Sequence, residues 1–207
     1  ASDVYKRQPQ ILREQFRISR NQLRARRVLH GFSSETEQEI CFLYDPDVLT
    51  PRHDPRGHPV GKRGSRQAPR FDSTFRYDLD TDKAPELIRF SKPPLELAVK
   101  GPQGMALRLI GVHAKSKAPH GAEGREAVLR LSIENRRKQL AQCIWIRARV
   151  DEHLARGDSL IVMGDFNDGP GLDEFEKLFG RSGVEIVLGC DAPPSQRLFD
   201  PHAEMAL

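Results

Sequence analysis

The stretch Leu160-Ile161-Val162-Met163-Gly164-Asp165-Phe166-Asn167-Asp168-Gly169-Pro170 constrains this chain more than any other. Four consecutive apolar residues predict a short strand buried on both faces, ended by Gly164 and a cluster of short polar residues. In open sheets, chemistry gathers beyond the carboxyl ends of the strands, where a rigid scaffold holds the loops. An Asp and an Asn two residues apart can aim a carboxylate and an amide at one small target. The carboxylate can orient a water or hold a metal, and the amide can grip a phosphate oxygen. The plainer alternative is a tight turn in which Asp165 and Asn167 hydrogen-bond their own backbone.

A second stretch, from Leu107 to Lys117, has the same form: an apolar strand running into His113, then Lys115, Ser116 and Lys117. A histidine at a strand end is often only structural. If the two strands are parallel neighbours, however, His113 and Asp165 share one rim of the sheet, with the lysines beside them. A long helix predicted over residues 123–155 is the crossover that such a parallel pair requires. Val128, Leu131, Leu140, Ile144 and Leu154 carry its apolar face, and Arg136, Arg137 and Lys138 its polar side. Trp145 is expected to pack against the sheet.

The remaining elements follow in order. Residues 10–19 predict a short amphipathic helix, residues 23–29 a strand with alternating Arg, and residues 37–44 a strand stopped by Asp45-Pro46. Residues 51–70 hold four Pro, three Gly and many charges, and predict a long surface loop in which His53 and His58 are poor metal ligands. Residues 71–80 alternate like a strand. Residues 95–99 form another, joined by Gly101-Pro102-Gln103-Gly104 to the His113 strand as a hairpin. After the Asp165 strand come a short helix over 172–179, a strand over 183–188 and a loop-like tail from Asp191. Strands and hairpins followed by a helix crossover predict an α/β sandwich.

At 207 residues the chain is long enough for one domain with a real core. Thirty-three Lys and Arg against 29 Asp and Glu leave +4. That balance is compatible with a polyanionic partner without requiring one. Arg17, Arg20, Arg24, Arg26 and Arg27 crowd near the start, where a solvated face is the simpler reading. Three cysteines, Cys41, Cys143 and Cys190, with no Cys-x-x-Cys pair, argue against a disulfide framework or a structural zinc and favour a reducing compartment such as the cytoplasm. No apolar run approaches the roughly 18 residues of a membrane span. Residues 1–8 lack both periodicity and an initiating Met, and are set aside as a read-through tail. The domain is therefore expected over residues 9–207.

Taken together, these segments resemble the endonuclease/exonuclease/phosphatase superfamily, whose fold is that of pancreatic-type deoxyribonuclease. The carriers are the Gln38-Glu39 strand, Phe90-Ser91-Lys92-Pro93-Pro94, the strand ending at His113, the long helix, and Gly164-Asp165-Phe166-Asn167. The resemblance spans roughly residues 37–171 and implies a four-layered α/β sandwich that hydrolyses phosphate esters with Mg²⁺ or Mn²⁺. Carried over residue by residue, His113 contacts the scissile phosphate, and Glu39 pairs with that His and fixes its ring. Asp165 orients or deprotonates the attacking water, and Asn167 holds the phosphate. Asp165 and Asn167 are also the metal-ligand candidates, and Lys92 and Lys115 the substrate-binding ones.

Two departures qualify that expectation. The family opens with an Asn-bearing strand and a Gln-Glu strand whose Glu binds the principal metal, and it closes with Ser-Asp-His. Neither end is present, so an incomplete domain of weak or absent activity is expected. Substrates in reach are a phosphodiester such as nucleic acid, or a phosphomonoester or lipid head group. A non-catalytic module that binds a polyanion or a protein is the remaining alternative.

Overall fold

The computed structural model describes residues 25–33, 39–78, 85–168, 177 and 180–201. The tail over 1–8 and the helix expected over 10–19 lie outside these residues, as does nearly all of the helix expected over 172–179. The described elements are β1 (Arg27–His30), β2 (Cys41–Tyr44), β3 (Thr50–His53), β4 (Phe75–Tyr77), β5 (Glu86–Ile88), β6 (Leu95–Lys100), β7 (Ala106–His113), α1 (Arg125–Leu154), β8 (Leu160–Asp165) and α2 (Gly183–Leu188). The class is mixed α/β.

The central sheet has the order β3-β6-β7-β8. β3 and β7 run antiparallel to β6, whereas β7 and β8 are parallel and joined by α1. Period-two alternation divides the sheet's residues between its faces. Leu95, Leu97, Val99 and Leu109 form one apolar cluster with Leu29, Ile40 and Phe42 of the β1–β2 ribbon and its approach. Gly111 belongs to that face, and a Cβ there would stand 3.1 Å from Ile40, so the small residue admits the ribbon. Ile110 and Val112 face the other way, into a cluster with Ala141, Ile146 and Val150 of α1. Trp145 is fully buried there, its ring 5.2–5.4 Å from those of Phe71, Phe75 and Phe90, and its Nε1–H donates to the Pro69 carbonyl. The indole is thus spent on the core.

A 30-residue helix at about 1.5 Å per residue is longer than any strand it crosses. Val128 and Leu129, in its first turns, are accordingly exposed.

Four expectations are corrected. Residues 51–70 are not wholly loop: Thr50–His53 pair with β6 at the sheet edge. Pro51 is tolerated there because an edge strand has an unpaired side. β5 is a strand the sequence reading passed over, paired with β4. Residues 183–188 form helix rather than strand. Ser182 accepts from the Glu185 amide while Glu185 accepts from the Ser182 amide, and this capping box nucleates α2. Finally, β8 is not buried on both faces. Leu160 and Val162 pack on the core, but Ile161 and Met163 are 43% and 47% exposed, because β8 closes the described sheet as an edge strand.

Candidate active site

The pairing of β7 with β8 sets His113 directly opposite Asp165 at the carboxyl ends of two parallel strands. Gly164 makes this close approach possible. Its φ is 138°, and a Cβ would stand 2.0 Å from the Val112 carbonyl oxygen. Only glycine can hold β8 in register there. The ladder then continues one step past His113, the Ala114 amide donating to the Asp165 carbonyl at 2.8 Å.

His113 Nε2 lies 3.9 Å from Asp165 Oδ2, with side-chain exposures of 36% and 62%. Lys92 Nζ stands 3.2 Å from His113 Nδ1. An ammonium only donates, so Nδ1 accepts and the neutral ring carries its proton on Nε2, facing Asp165 and solvent. The Lys92 loop therefore fixes the tautomer.

Asn167 adopts φ 50°, a left-handed conformation that asparagine tolerates better than most residues. Its amide donates to Asp165 Oδ1 at 2.8 Å, and its Nδ2 donates to the Ala114 carbonyl at 2.9 Å. The turn reading is thus realised, yet it also locks the Asp165 carboxylate with Oδ2 directed toward His113. The second Nδ2 hydrogen and Oδ1 of Asn167 are not used by these two bonds.

Three loops converge on the rim, and α1 ties them together. Gln139 Nε2 donates to the Phe166 carbonyl, Gln142 Oε1 accepts from the Lys115 amide while its Nε2 donates to the Arg89 carbonyl, and Asn135 Nδ2 donates to the Ala118 carbonyl. All three side chains are buried. Sequence reasoning passed over this stripe, although its signal was present: amides at i, i+4 and i+7 on one helix face. Asp168 was missed as well. Its fully buried carboxylate accepts from Lys117 Nζ at 2.8 Å and from the Val184 amide at 3.0 Å, pinning the Lys-Ser-Lys loop to the start of α2. Lys117 is therefore a structural cation. Among the described residues, no ion pair or hydrogen bond holds the Lys115 ammonium, whose charge is felt by the Glu134 carboxylate.

Glu39 sits beside Ile40, whose side chain packs over Gly111, two residues before His113. Its carboxylate lies 3.8 Å from His30 Nδ1. His113, by contrast, has Lys92 at Nδ1 and Asp165 at Nε2, so the carboxylate facing its ring is that of Asp165. His53 packs edge-on against Phe32, and burial lowers its pKa. Cys41, Cys143 and Cys190 are free thiols. Burial pushes the Cys143 thiol well above its ordinary pKa, which makes it unreactive.

No group of three His, Cys, Asp or Glu able to hold a metal occurs among the described residues. Mg²⁺ takes one or two carboxylates and draws its other ligands from water and substrate phosphate. Asp165 Oδ2, with Asn167 Oδ1, meets that minimum for a loosely held ion and not for a protein-held cluster. Comparison of the chain with protein-family models, with curated proteins and with solved structures finds no match.

Proposed function

We propose that the His113–Asp165 rim hydrolyses phosphate esters, most naturally a phosphodiester such as nucleic acid, within a deoxyribonuclease-like α/β sandwich. The observation that carries this reading is the juxtaposition of His113, Asp165 and Lys92 at the ends of two parallel strands, with Asn167 locking the carboxylate.

Asp165 Oδ2 is exposed enough to orient a water and take up its proton as the water attacks phosphorus; the P–O bond to the leaving alcohol breaks, and that oxygen takes a proton from solvent. His113 Nε2–H donates to a non-bridging phosphate oxygen, where charge develops. Lys92 holds the tautomer that makes this possible, and Lys115 supplies a cation for a neighbouring phosphate. A divalent ion bound at Asp165 would contribute charge neutralisation.

The test is cleavage of supercoiled plasmid and of a chromogenic phosphodiester, each with Mg²⁺, Mn²⁺ or a chelator. Metal-stimulated cleavage that falls at least about 100-fold in His113→Ala is expected, the scale of a lost donor to the charge that develops in the transition state. Undiminished cleavage in that variant would exclude the assignment. Inorganic phosphate released from a monoester, without nicking of plasmid, would move the substrate to the phosphomonoester or lipid-head-group class.

A second reading has its own support. The thin metal-donor set, together with the Lys92 and Lys115 ammoniums beside the rim, also suits a polyanion-binding module that performs no chemistry. Salt-sensitive DNA binding without metal-stimulated turnover is its signature.

A further inference from the structure

The opposite end of the central sheet holds a second assembly of charge. α1 ends at Leu154 and does not extend over this end of the sheet's α1-facing side. A cavity of about 410 Å³ opens there. Ala98 and Ala106 help line its floor, and Arg52, Lys100, Arg108 and Asp158 stand around it. The register places Arg52 beside Ala98 on β3 and β6, and Arg108 beside Ala98 on β7, so both guanidiniums leave the same face of the sheet.

These cations are fixed in place. Asp54 Oδ1 takes Arg52 at 2.9 Å, and Asp54 Oδ2 takes Arg56 at 3.2 Å and also Arg108. Burial alone would raise the pKa of Asp54. Arg108, Arg56 and Arg52 outweigh that and hold it below the ordinary carboxylate value, so it remains ionised as their anchor. Asp158 is engaged by His153 at 2.8 Å and faces Arg108 Nε at 3.8 Å. Lys100, by contrast, is exposed, and among the described residues no ion pair or hydrogen bond engages its ammonium.

Three lining cations against one lining carboxylate leave an excess of two positive charges. Asp54 and Arg56 behind the wall cancel each other. The bare carbonyl end of a helix repels an anion. At this end the amides of Ala155, Arg156, Gly157 and Asp158 donate back to the Asp151, His153 and Leu154 carbonyls, which reduces that repulsion. Thr50 and Ser159 also line the cavity.

We propose that this cavity is an anion site for the phosphate group of a small ligand, either inorganic phosphate or the phosphate end of a mononucleotide. The volume lies in the range of small-ligand pockets. Two pre-oriented guanidiniums and one free ammonium are the donors such a group requires. From Arg108 to His113 is five residues of one strand, about 17 Å at roughly 3.3 Å per residue. The site is therefore distinct from the rim and does not depend on the rim's chemistry.

The test is isothermal titration of the whole chain with inorganic phosphate and, separately, with a nucleoside monophosphate. It is run on the unmutated protein, on Lys100→Glu, and on the double variant His113→Ala/Asp165→Asn. Saturable binding tighter than about 10 mM is expected, retained in the double variant and weakened at least about tenfold in Lys100→Glu. Tighter binding of the nucleotide identifies it as the ligand, and equal binding identifies phosphate alone. Lys100 is exposed, so unchanged circular dichroism verifies that its variant is folded. Absence of saturable binding, or binding undiminished in Lys100→Glu, overturns the proposal.

Discussion

Replacing Gly164 by Ala tests the argument that close backbone approach builds the rim. The new Cβ would meet the Val112 carbonyl oxygen at 2.0 Å, whereas real Cβ contacts do not fall below about 3.0 Å. The two strands must therefore separate locally by 3.0 minus 2.0, or about 1.0 Å. The Ala114 amide to Asp165 carbonyl bond, 2.8 Å long, would stretch to about 3.8 Å and be lost. Losing this bond and one neighbour in the ladder costs about 1 kcal/mol each. An alanine at φ 138° adds roughly 1–3 kcal/mol of backbone strain. The sum is about 3–5 kcal/mol, a large share of the roughly 5–15 kcal/mol that holds a domain together.

Urea unfolding followed by circular dichroism measures this loss. Gly157→Ala is the control: φ there is 70° but nothing lies within 4 Å, so only the backbone term applies, about 1 kcal/mol. A Gly164→Ala protein no less stable than Gly157→Ala would show that β8 yields freely. The rim would then be soft and the reasoning wrong.

Three further outcomes are expected. Burial pushes the Glu96 carboxyl, beside Arg149, up from 4.5 to about 7. The native state then binds the extra proton between pH 4.5 and 7, so stability is full below that window and declines by about 3 kcal/mol as pH rises through it. Glu96→Gln removes this slope, and a slope unchanged in the variant would refute the assignment. Asp168→Asn should cost about 2–3 kcal/mol by leaving Lys117 without its buried carboxylate, and should speed amide exchange in α2; equal exchange rates would contradict the latch. Gln142→Leu should reduce turnover more than it changes KM, because it frees both the Arg89 and Lys115 backbones, and a loss confined to KM would argue against a positioning role.

Apolar-rich segments bounded by turn residues made β6, β7 and β8 legible in the sequence, and a long stretch free of Gly and Pro made α1 legible, although its buried face carries Asn135, Gln139, Gln142 and Arg149 as well as apolar residues. The parallel pairing of β7 and β8 followed from that crossover, and with it the meeting of His113 and Asp165 on one rim. Local signals were misread where two periodicities compete. Gly183–Leu188 is apolar enough for a strand, and only the Ser182–Glu185 box marks it as helix. β3, with Pro51 and Arg52, carries no apolar alternation at all and becomes a strand because β6 offers it an edge.

The sequence by itself determined the elements whose hydrophobic period repeats locally, and so the order in which the chain could cross the sheet. Only the tertiary structure decided which polar groups are buried and with whom. Glu96 with Arg149, Asp168 with Lys117, and Gln142 with two loops are pairings across distant segments, and burial of a polar group is tolerable only where a partner arrives. Asp54 gathering three arginines depends in the same way on strands brought together by folding. The same rule chose Lys92 and Asp165 as the partners of His113: ring nitrogens bind what the fold places beside them, and that is written in strand register rather than in any short motif.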